Sequence, residues 1–216
     1  MNDAPADNTT VGLLYGGGID SSVLAYDLLR RGKRVQPFYI RCGLVWEAAE
    51  LAAGRAFLAA IASPRLDVLV TLDMPVEDVY ANHWSQTGKN TPGYTTPDEA
   101  VYLPGRNPLL LIKPLIWCQM HGIGELALAT LATNPFPDAT NEFFESFTVA
   151  MSIAGKQPVR ISRPYAEMHK DEVMRRGAEC PLELTFSCIS PEKGLHCGRC
   201  NKCAERQAAF RIVGKH

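Results

Sequence analysis

Neither sign of charge dominates this 216-residue chain: 22 Lys and Arg stand against 23 Asp and Glu, leaving a net charge of -1 at pH 7. A protein that holds nucleic acid by neutralising phosphates needs a basic excess, so no nucleic-acid partner is expected. Long apolar runs are also missing. The most apolar stretch, residues 109–118, is broken by Lys113 and Pro114 and is far shorter than the ~20 residues a bilayer span needs. No membrane partner is expected. The first eight residues offer neither the basic nor the apolar region of a secretory signal, and a cytoplasmic location is the expectation. Internal repeats and low-complexity tracts are absent. The five histidines (His83, His121, His169, His196, His216) show no metal-ligand spacing among themselves, so none receives a role.

What is present is ordinary for a soluble globular domain, with one exception. Apolar residues make up 46% and charged residues 21%, enough to build a sizeable core. The exception is cysteine. Seven occur, an odd number, and four crowd into the last thirty residues. A secreted disulfide framework predicts neither feature, whereas a metal site in a reducing compartment accounts for both.

Apolar runs alternate with helical patterns along the chain. Strands are predicted at residues 11–15, 35–40, 66–71 and 126–130, and helices at 21–31, 46–61, 107–121, 141–154 and 200–213. Pro37 lies inside the second strand and suggests an edge or a bulge there. This alternation argues for an α/β, doubly wound, mostly parallel sheet covered by helices on both faces. Residues 80–104 form a long polar segment without a period, of the kind usually kept for function. After Pro181 the composition shifts to the cysteine cluster, so residues 1–180 are taken as the main domain and 181–216 as a small C-terminal element packed on it.

Tyr15-Gly16-Gly17-Gly18-Ile19-Asp20-Ser21-Ser22 falls where the first strand hands over to the first helix. Glycines there let backbone N–H groups approach a phosphate, and the helix N-terminus adds partial positive charge. The spacing matches neither the P-loop nor the dinucleotide fingerprint. Asp20 or Ser21 can serve as helix cap, and a tight turn without a ligand would use the same residues. An aspartate there would repel a bare anion, so Asp20 suits a metal ion or the orientation of the loop.

Cys188, Cys197, Cys200 and Cys203 follow the spacing C-x8-C-x2-C-x2-C. Four thiolates close a tetrahedral structural Zn²⁺ site without leaving an open position; a redox dithiol and an iron–sulfur cluster are the alternatives. Such a site shapes the C-terminus and says little about chemistry.

The glycine run resembles the Ser-Gly-Gly-x-Asp-Ser motif of the PP-loop ATP pyrophosphatases, matched by Gly17, Gly18, Asp20 and Ser21, with Gly16 where the first serine would stand. Leu184-Thr185-Phe186-Ser187-Cys188, the run from His196 to Arg206 and Phe210 are similar to the C-terminus of the 7-cyano-7-deazaguanine synthase family within that group. Leu103-Pro104-Gly105-Arg106-Asn107, Phe136-Pro137-Asp138, Glu142-Phe143, Phe147, Arg163-Pro164 and Lys170 continue the resemblance in order. It implies a HUP-like, Rossmann-like fold. It also implies a reaction: ATP adenylates a deazapurine carboxylate, ammonia converts the acyl-adenylate to an amide, and a second ATP activation dehydrates the amide to a nitrile. The implied partners are Mg²⁺, structural Zn²⁺, ATP, a small carboxylate and ammonia, and the implied assembly is a homodimer. The implied ATP site is Tyr15, Gly16, Gly17, Gly18, Asp20, Ser21, Ser22, Arg106 and Asn107, with Asp20, Ser21 and Lys170 in catalysis.

Two segments depart from the family pattern. Ile40-Arg41-Cys42-Gly43-Leu44-Val45-Trp46-Glu47 stands where the family reads Asp-Tyr-Gly-Gln-Arg-His, and Thr133-Asn134-Pro135 replaces Tyr-Ser-Gly. Together with Gly16 these mark a divergent member. Arg41 can hold a carboxylate and Trp46 can stack a heterocycle, so the candidate substrate set is Arg41, Trp46, Phe136, Pro137 and Asp138. Cys42 is a candidate nucleophile or buried filler. Other readings remain open: activation of a different acid, a deazapurine joined to another amine including a protein, a tRNA thiolase-type enzyme, or a nucleotide sensor without turnover.

Overall fold

The computed structural model describes residues 9–155 and 157–214. Five strands, β1 (Thr10–Leu14), β2 (Arg34–Arg41), β3 (Val70–Asp73), β4 (Glu125–Ala127) and β5 (Arg160–Ser162), form one sheet in the order β3-β2-β1-β4-β5, with every pairing parallel. The helices are α1 (Ile19–Arg30), α2 (Glu47–Ala60), the single turns α3 (Glu77–Tyr80) and α4 (Trp84–Thr87), α5 (Arg106–Met120), α6 (Asn141–Ala154), α7 (Lys170–Arg176) and α8 (Asn201–Ile212). No helix among the described residues is long and apolar enough to cross a membrane.

Parallel strands buried on both faces need helices on both, and two apolar clusters supply them. On one face Val11, Leu13 and Val35 pack with Val23 and Leu24 of α1, Phe57 of α2 and Val173 and Met174 of α7. On the other, Phe38, Ile40, Leu126 and Leu128 pack with Leu111 and Leu115 of α5 and Phe144 of α6. Gly12 brings α5 close to the sheet, since a Cβ there would meet Cys118 Sγ at 2.9 Å. Cys118 is thus a core residue and needs no disulfide partner.

Pro37 does not mark an edge. It lies in β2, an interior strand, opposite Leu13 of β1. Its missing N–H instead interrupts the neighbour on the other side. Val35 N donates to Arg65 O and Val35 O accepts from Asp67 N; pairing then breaks and resumes at Phe38 with Val70. Gln36 Nε2 bridges the gap by donating to Val68 O at 2.8 Å. The third strand predicted at residues 66–71 is therefore split into an isolated bridge at Leu66 and a later strand, β3.

After β3 the chain crosses to the far side of β1 to add β4 and β5. That reversal leaves a crevice at the carboxyl ends of β1 and β4, the place where open α/β sheets bind ligands. Residues beyond 181 close it from one side. Leu182 is buried in the α1 face of the core, and Phe186 N donates to Gly17 O at 2.9 Å.

Candidate functional site

The crevice is a cavity of about 360 Å³, within the range of small-ligand pockets. One wall is the glycine loop. Gly17 has φ +71, and a Cβ on it would meet Glu50 O at 2.9 Å and Gly54 Cα at 3.2 Å, so only glycine lets the loop lie against α2. Gly54 is the matching small residue, with Tyr15 Cε1 3.0 Å from the Cβ it lacks. Gly18, not Asp20 or Ser21, is the N-cap of α1, and no side chain caps it. The first N–H groups of the helix are therefore left for a ligand at the mouth of the loop.

Asp20 stands in the first turn of α1 and joins a chain of charges. Lys170 Nζ donates to Asp20 Oδ1 at 2.8 Å and Oδ2 at 2.7 Å, and pairs with Glu205 Oε1 at 2.9 Å. Glu205 Oε2 accepts from Lys202 Nζ at 2.7 Å. Burial alone would lower the Lys170 pKa, but Asp20 and Glu205 outweigh it and hold the ammonium ionised above its ordinary value. Capping fixes Lys170 at the start of α7, where Glu172 Oε2 accepts from His169 N at 2.8 Å.

The opposite wall comes from α5 and the turn at 137–139. Arg106 opens α5, and its Nε is buried without a hydrogen-bond partner among the described residues, as is Thr130 Oγ1 beyond β4; both residues line the cavity. Orphaned polar atoms at a cavity wall ask for a polar ligand. Asn107 is committed elsewhere: its N donates to Asp138 Oδ2 at 2.9 Å and its Nδ2 to Asp138 O at 2.7 Å. The pair ties the start of α5 to the 137–139 turn. Phe136 lies against Tyr102 with ring centroids 5.2 Å apart.

Of the residues singled out from sequence, Tyr15, Gly16, Gly18, Asp20, Ser21, Trp46, Arg106, Asn107, Phe136, Asp138 and Lys170 line this cavity. Gly17 supports the loop from behind. Ser22 is fully buried, its Oγ 3.2 Å from the Tyr15 hydroxyl, which also donates to Gly54 O. Pro137 sits in the turn but not on the cavity surface. Arg41 points away to the outside, 3.1 Å from Asp73 and 3.6 Å from Glu47. Trp46 is buried and stacks on Trp84 at 5.7 Å. Cys42 is buried, and burial pushes its thiol up to about 11, which suits filler and not a nucleophile.

Sequence reasoning gave Tyr39, Glu50, Lys202, Glu205 and Arg206 no place in this cavity, yet all are on its wall. Glu50 left one signal, a carboxylate one turn beyond Trp46 on an alanine-rich helix. The α8 residues were hidden by their place among the cysteines.

The four cysteine sulfurs lie within 4.8 Å of one another, with Cys188–Cys200 at 3.8 Å and Cys197–Cys203 at 3.9 Å. Metal–sulfur bonds of ~2.3 Å in a tetrahedron put sulfurs ~3.8 Å apart, so the donor set fits one ion. Ser190 N and Cys197 N each donate to Cys188 Sγ at 3.3 Å, as amides do toward thiolates.

The pattern of the family described as "Queuosine biosynthesis protein QueC" matches residues 10–214. The chain belongs to this family. Among its relatives, 7-cyano-7-deazaguanine synthase of Syntrophobacter fumaroxidans is 26% identical over 94% of this chain and 92% of the relative. The protein of that name from Caldicellulosiruptor bescii is 28% identical over the same shares. Identity this low over near-complete coverage marks a divergent QueC-family member. Two solved structures share the fold. A predicted subunit of a tRNA methyltransferase from Methanocaldococcus jannaschii gives a TM-score of 0.52 at 16% identity over 79% of this chain and 76% of its own. A 4-thiouridine synthetase with RNA and bound ATP gives 0.52 at 15% identity over 95% of this chain and 50% of its own.

Proposed function

We propose that this QueC-family protein is an ATP-dependent carbon–nitrogen ligase of the queuosine pathway. It would adenylate 7-carboxy-7-deazaguanine and convert the product with ammonia to the amide and then the nitrile. The observation that carries this reading is the glycine loop at the sheet reversal, with α1 N–H groups, Lys170 and Arg106 converging on one cavity. A carboxylate is a poor electrophile, and adenylation gives it a good leaving group. The chain's part is electrostatic and positional. Loop N–H groups and the Arg106 guanidinium stabilise charge on the α-phosphate, while Lys170, fixed by Asp20 and Glu205, offsets charge on the departing pyrophosphate. Mg²⁺ bound with the nucleotide would supply further charge neutralisation, and Asp20, in the first turn of α1 and paired with Lys170, is the carboxylate that would hold it. Zn²⁺ at the four cysteines is structural in this reading.

The wall around Trp46 favours a second reading, in which the same activation serves another acid or another amine. Trp46, stacked on Trp84, fills the segment where the polar family residues would stand.

The test is pyrophosphate release from Mg-ATP with 7-carboxy-7-deazaguanine and ammonia, followed by mass spectrometry of the product. A nitrile supports the main reading, and pyrophosphate release without nitrile supports the second. Asp20→Asn should abolish turnover with zinc content unchanged; retained activity would sink the assignment of the loop.

A further inference from the structure

The side-chain donors near the glycine loop are already engaged. Ser21 Oγ donates back to Gly18 O at 3.3 Å, and Ser22 Oγ is buried with Tyr15. Lys170 is shared between Asp20 and Glu205. Gly16 has no side chain, yet the space beside it is open: a Cβ there would have only Glu50 Oε1 within 4 Å, at 4.0 Å.

Glu50 is the unusual carboxylate of the cavity. Asp20 and Glu205 are paired with Lys170, and Asp138 accepts from Asn107 N. Among the described residues Glu50 makes no ion pair with a lysine or arginine; its Oε2 accepts from the Tyr39 hydroxyl at 2.7 Å, and Oε1 is left toward Gly16 and the cavity. An ionised carboxylate at that spot would repel a phosphate held by the loop. A neutral carboxyl would do the reverse, because it carries an O–H donor.

We propose that Glu50, in its protonated form, donates a hydrogen bond from Oε1 to a phosphate oxygen of nucleotide held at the glycine loop, in the place a hydroxyl at Gly16 would take. This rests on the reading of the cavity as a nucleotide site. Its consequence is that nucleotide binding takes up a proton: the free carboxylate plus one proton becomes the bound acid.

The surroundings allow this. Burial raises the Glu50 pKa to about 7, against the pull of Arg106 and Tyr39 and with a further push from Glu47. Burial raises Tyr15 and Tyr39 beside it beyond their ordinary value and Cys42 to about 11, away from neutrality; Arg106 and Glu47 are the other charged groups that face it. A bound phosphate adds negative charge and favours the acid further.

Calorimetric titration of Mg-ATP into the zinc-loaded full chain at pH 8, in two buffers of different ionisation enthalpy, reads the proton directly. Uptake close to one proton per nucleotide is expected. Affinity should fall toward tenfold per pH unit between pH 7.5 and 9. Glu50→Gln, which keeps an N–H donor, should bind Mg-ATP with no uptake and no pH dependence over that range. Glu50→Ala should bind roughly 10- to 100-fold more weakly at pH 7, and Gly16→Ser added to it should restore binding. Binding without proton uptake by the unsubstituted chain, or Glu50→Gln as weak as Glu50→Ala, overturns the role of Glu50. No binding of Mg-ATP by the unsubstituted chain would instead overturn the nucleotide reading itself.

Discussion

Glutamine in place of Glu50 should stabilise the ligand-free protein, and the gain should grow with pH. The folded chain moves the Glu50 pKa from its ordinary 4.5 to about 7, chiefly by burial. Between those values the folded state holds a proton that the unfolded state has released. Unfolded chains then bind fewer protons, so stability falls as pH rises through this window and stays lowered above it. The full displacement corresponds to at most ~3.4 kcal/mol. Glu50 borders an open cavity, and solvent screening reduces this to about 2 kcal/mol. Removing that penalty should raise the Tm at pH 8 by roughly 4–8 °C for a chain of this size. Thermal melts of zinc-loaded unsubstituted protein and Glu50→Gln at pH 5.5 and pH 8 provide the test. Groups common to both proteins cancel in the difference, which isolates the one carboxyl. The gap at pH 5.5 should be roughly half of that at pH 8, because pH 5.5 lies only about one unit above the unfolded pKa. A gap of equal size at both pH values, or one that favours the unsubstituted chain at pH 8, would refute the reasoning. The outcome also bears on function, since a destabilising carboxylate kept in a cavity wall needs a use there.

Other substitutions have definite outcomes. Gly54→Ala puts a Cβ 3.0 Å from Tyr15 Cε1 and 3.4 Å from Gly17 Cα, so it should cost about 1–3 kcal/mol in chemical denaturation and weaken Mg-ATP binding measured in parallel. Lys170→Met leaves Asp20 and Glu205 facing each other without their shared cation; a loss of about 2–3 kcal/mol in denaturant melts is expected, with pyrophosphate release abolished. Arg41→Ala should leave Mg-ATP binding unchanged and alter stability by less than ~1 kcal/mol, because its ion pairs are exposed and lie outside the cavity. Cys203→Ser should lower the bound zinc, measured by elemental analysis, and speed proteolysis within residues 88–104.

The helices were legible where the 3.6-residue period is long and uninterrupted. The aromatic face of residues 141–154 gives α6 its bounds, and Thr140 supplies the cap by accepting from Phe143 N. The glycine loop was legible because strand, glycines and helix follow in direct succession. Pairwise consequences were not. Pro37 is visible in the sequence, but its effect falls on β3, a strand some thirty residues on, through a ladder that exists only after folding. Gly54 looks like a weak point in an alanine-rich helix until Gly17 is seen to need it. Arg41 carries the right chemistry for a carboxylate and sits at the end of β2. The pleat puts it on the same face as Tyr39, two residues earlier, which reaches Glu50, but at the last residue of the strand its side chain turns out to Asp73. Site membership at a strand end depends on such side-chain directions, which composition and spacing do not encode.

The cysteine cluster shows how a structural site acquires chemical weight. On sequence it concerns only the C-terminus. In the fold Cys200 is the N-cap of α8 and bridges to Gly93, while Asn201 N donates to Pro92 O and Asn201 Nδ2 to Thr96 O at 2.7 Å. The long polar segment between α4 and α5 is therefore pinned by the residues around the metal ligands. One turn further along α8, Glu205 reaches Lys170, which reaches Asp20 in the first turn of α1, beside the glycine loop. Arg206 donates to Thr185 Oγ1 at 2.6 Å and fixes the turn whose Phe186 N bonds Gly17 O. Two routes thus run from the thiolates to the glycine loop, one ionic and one through the backbone. A helix of twelve residues with little apolar surface would not hold that position by packing alone. An ion held by the four sulfurs at its first turn would supply the missing constraint, so the geometry of Lys170 beside the glycine loop would depend on a metal that never touches it.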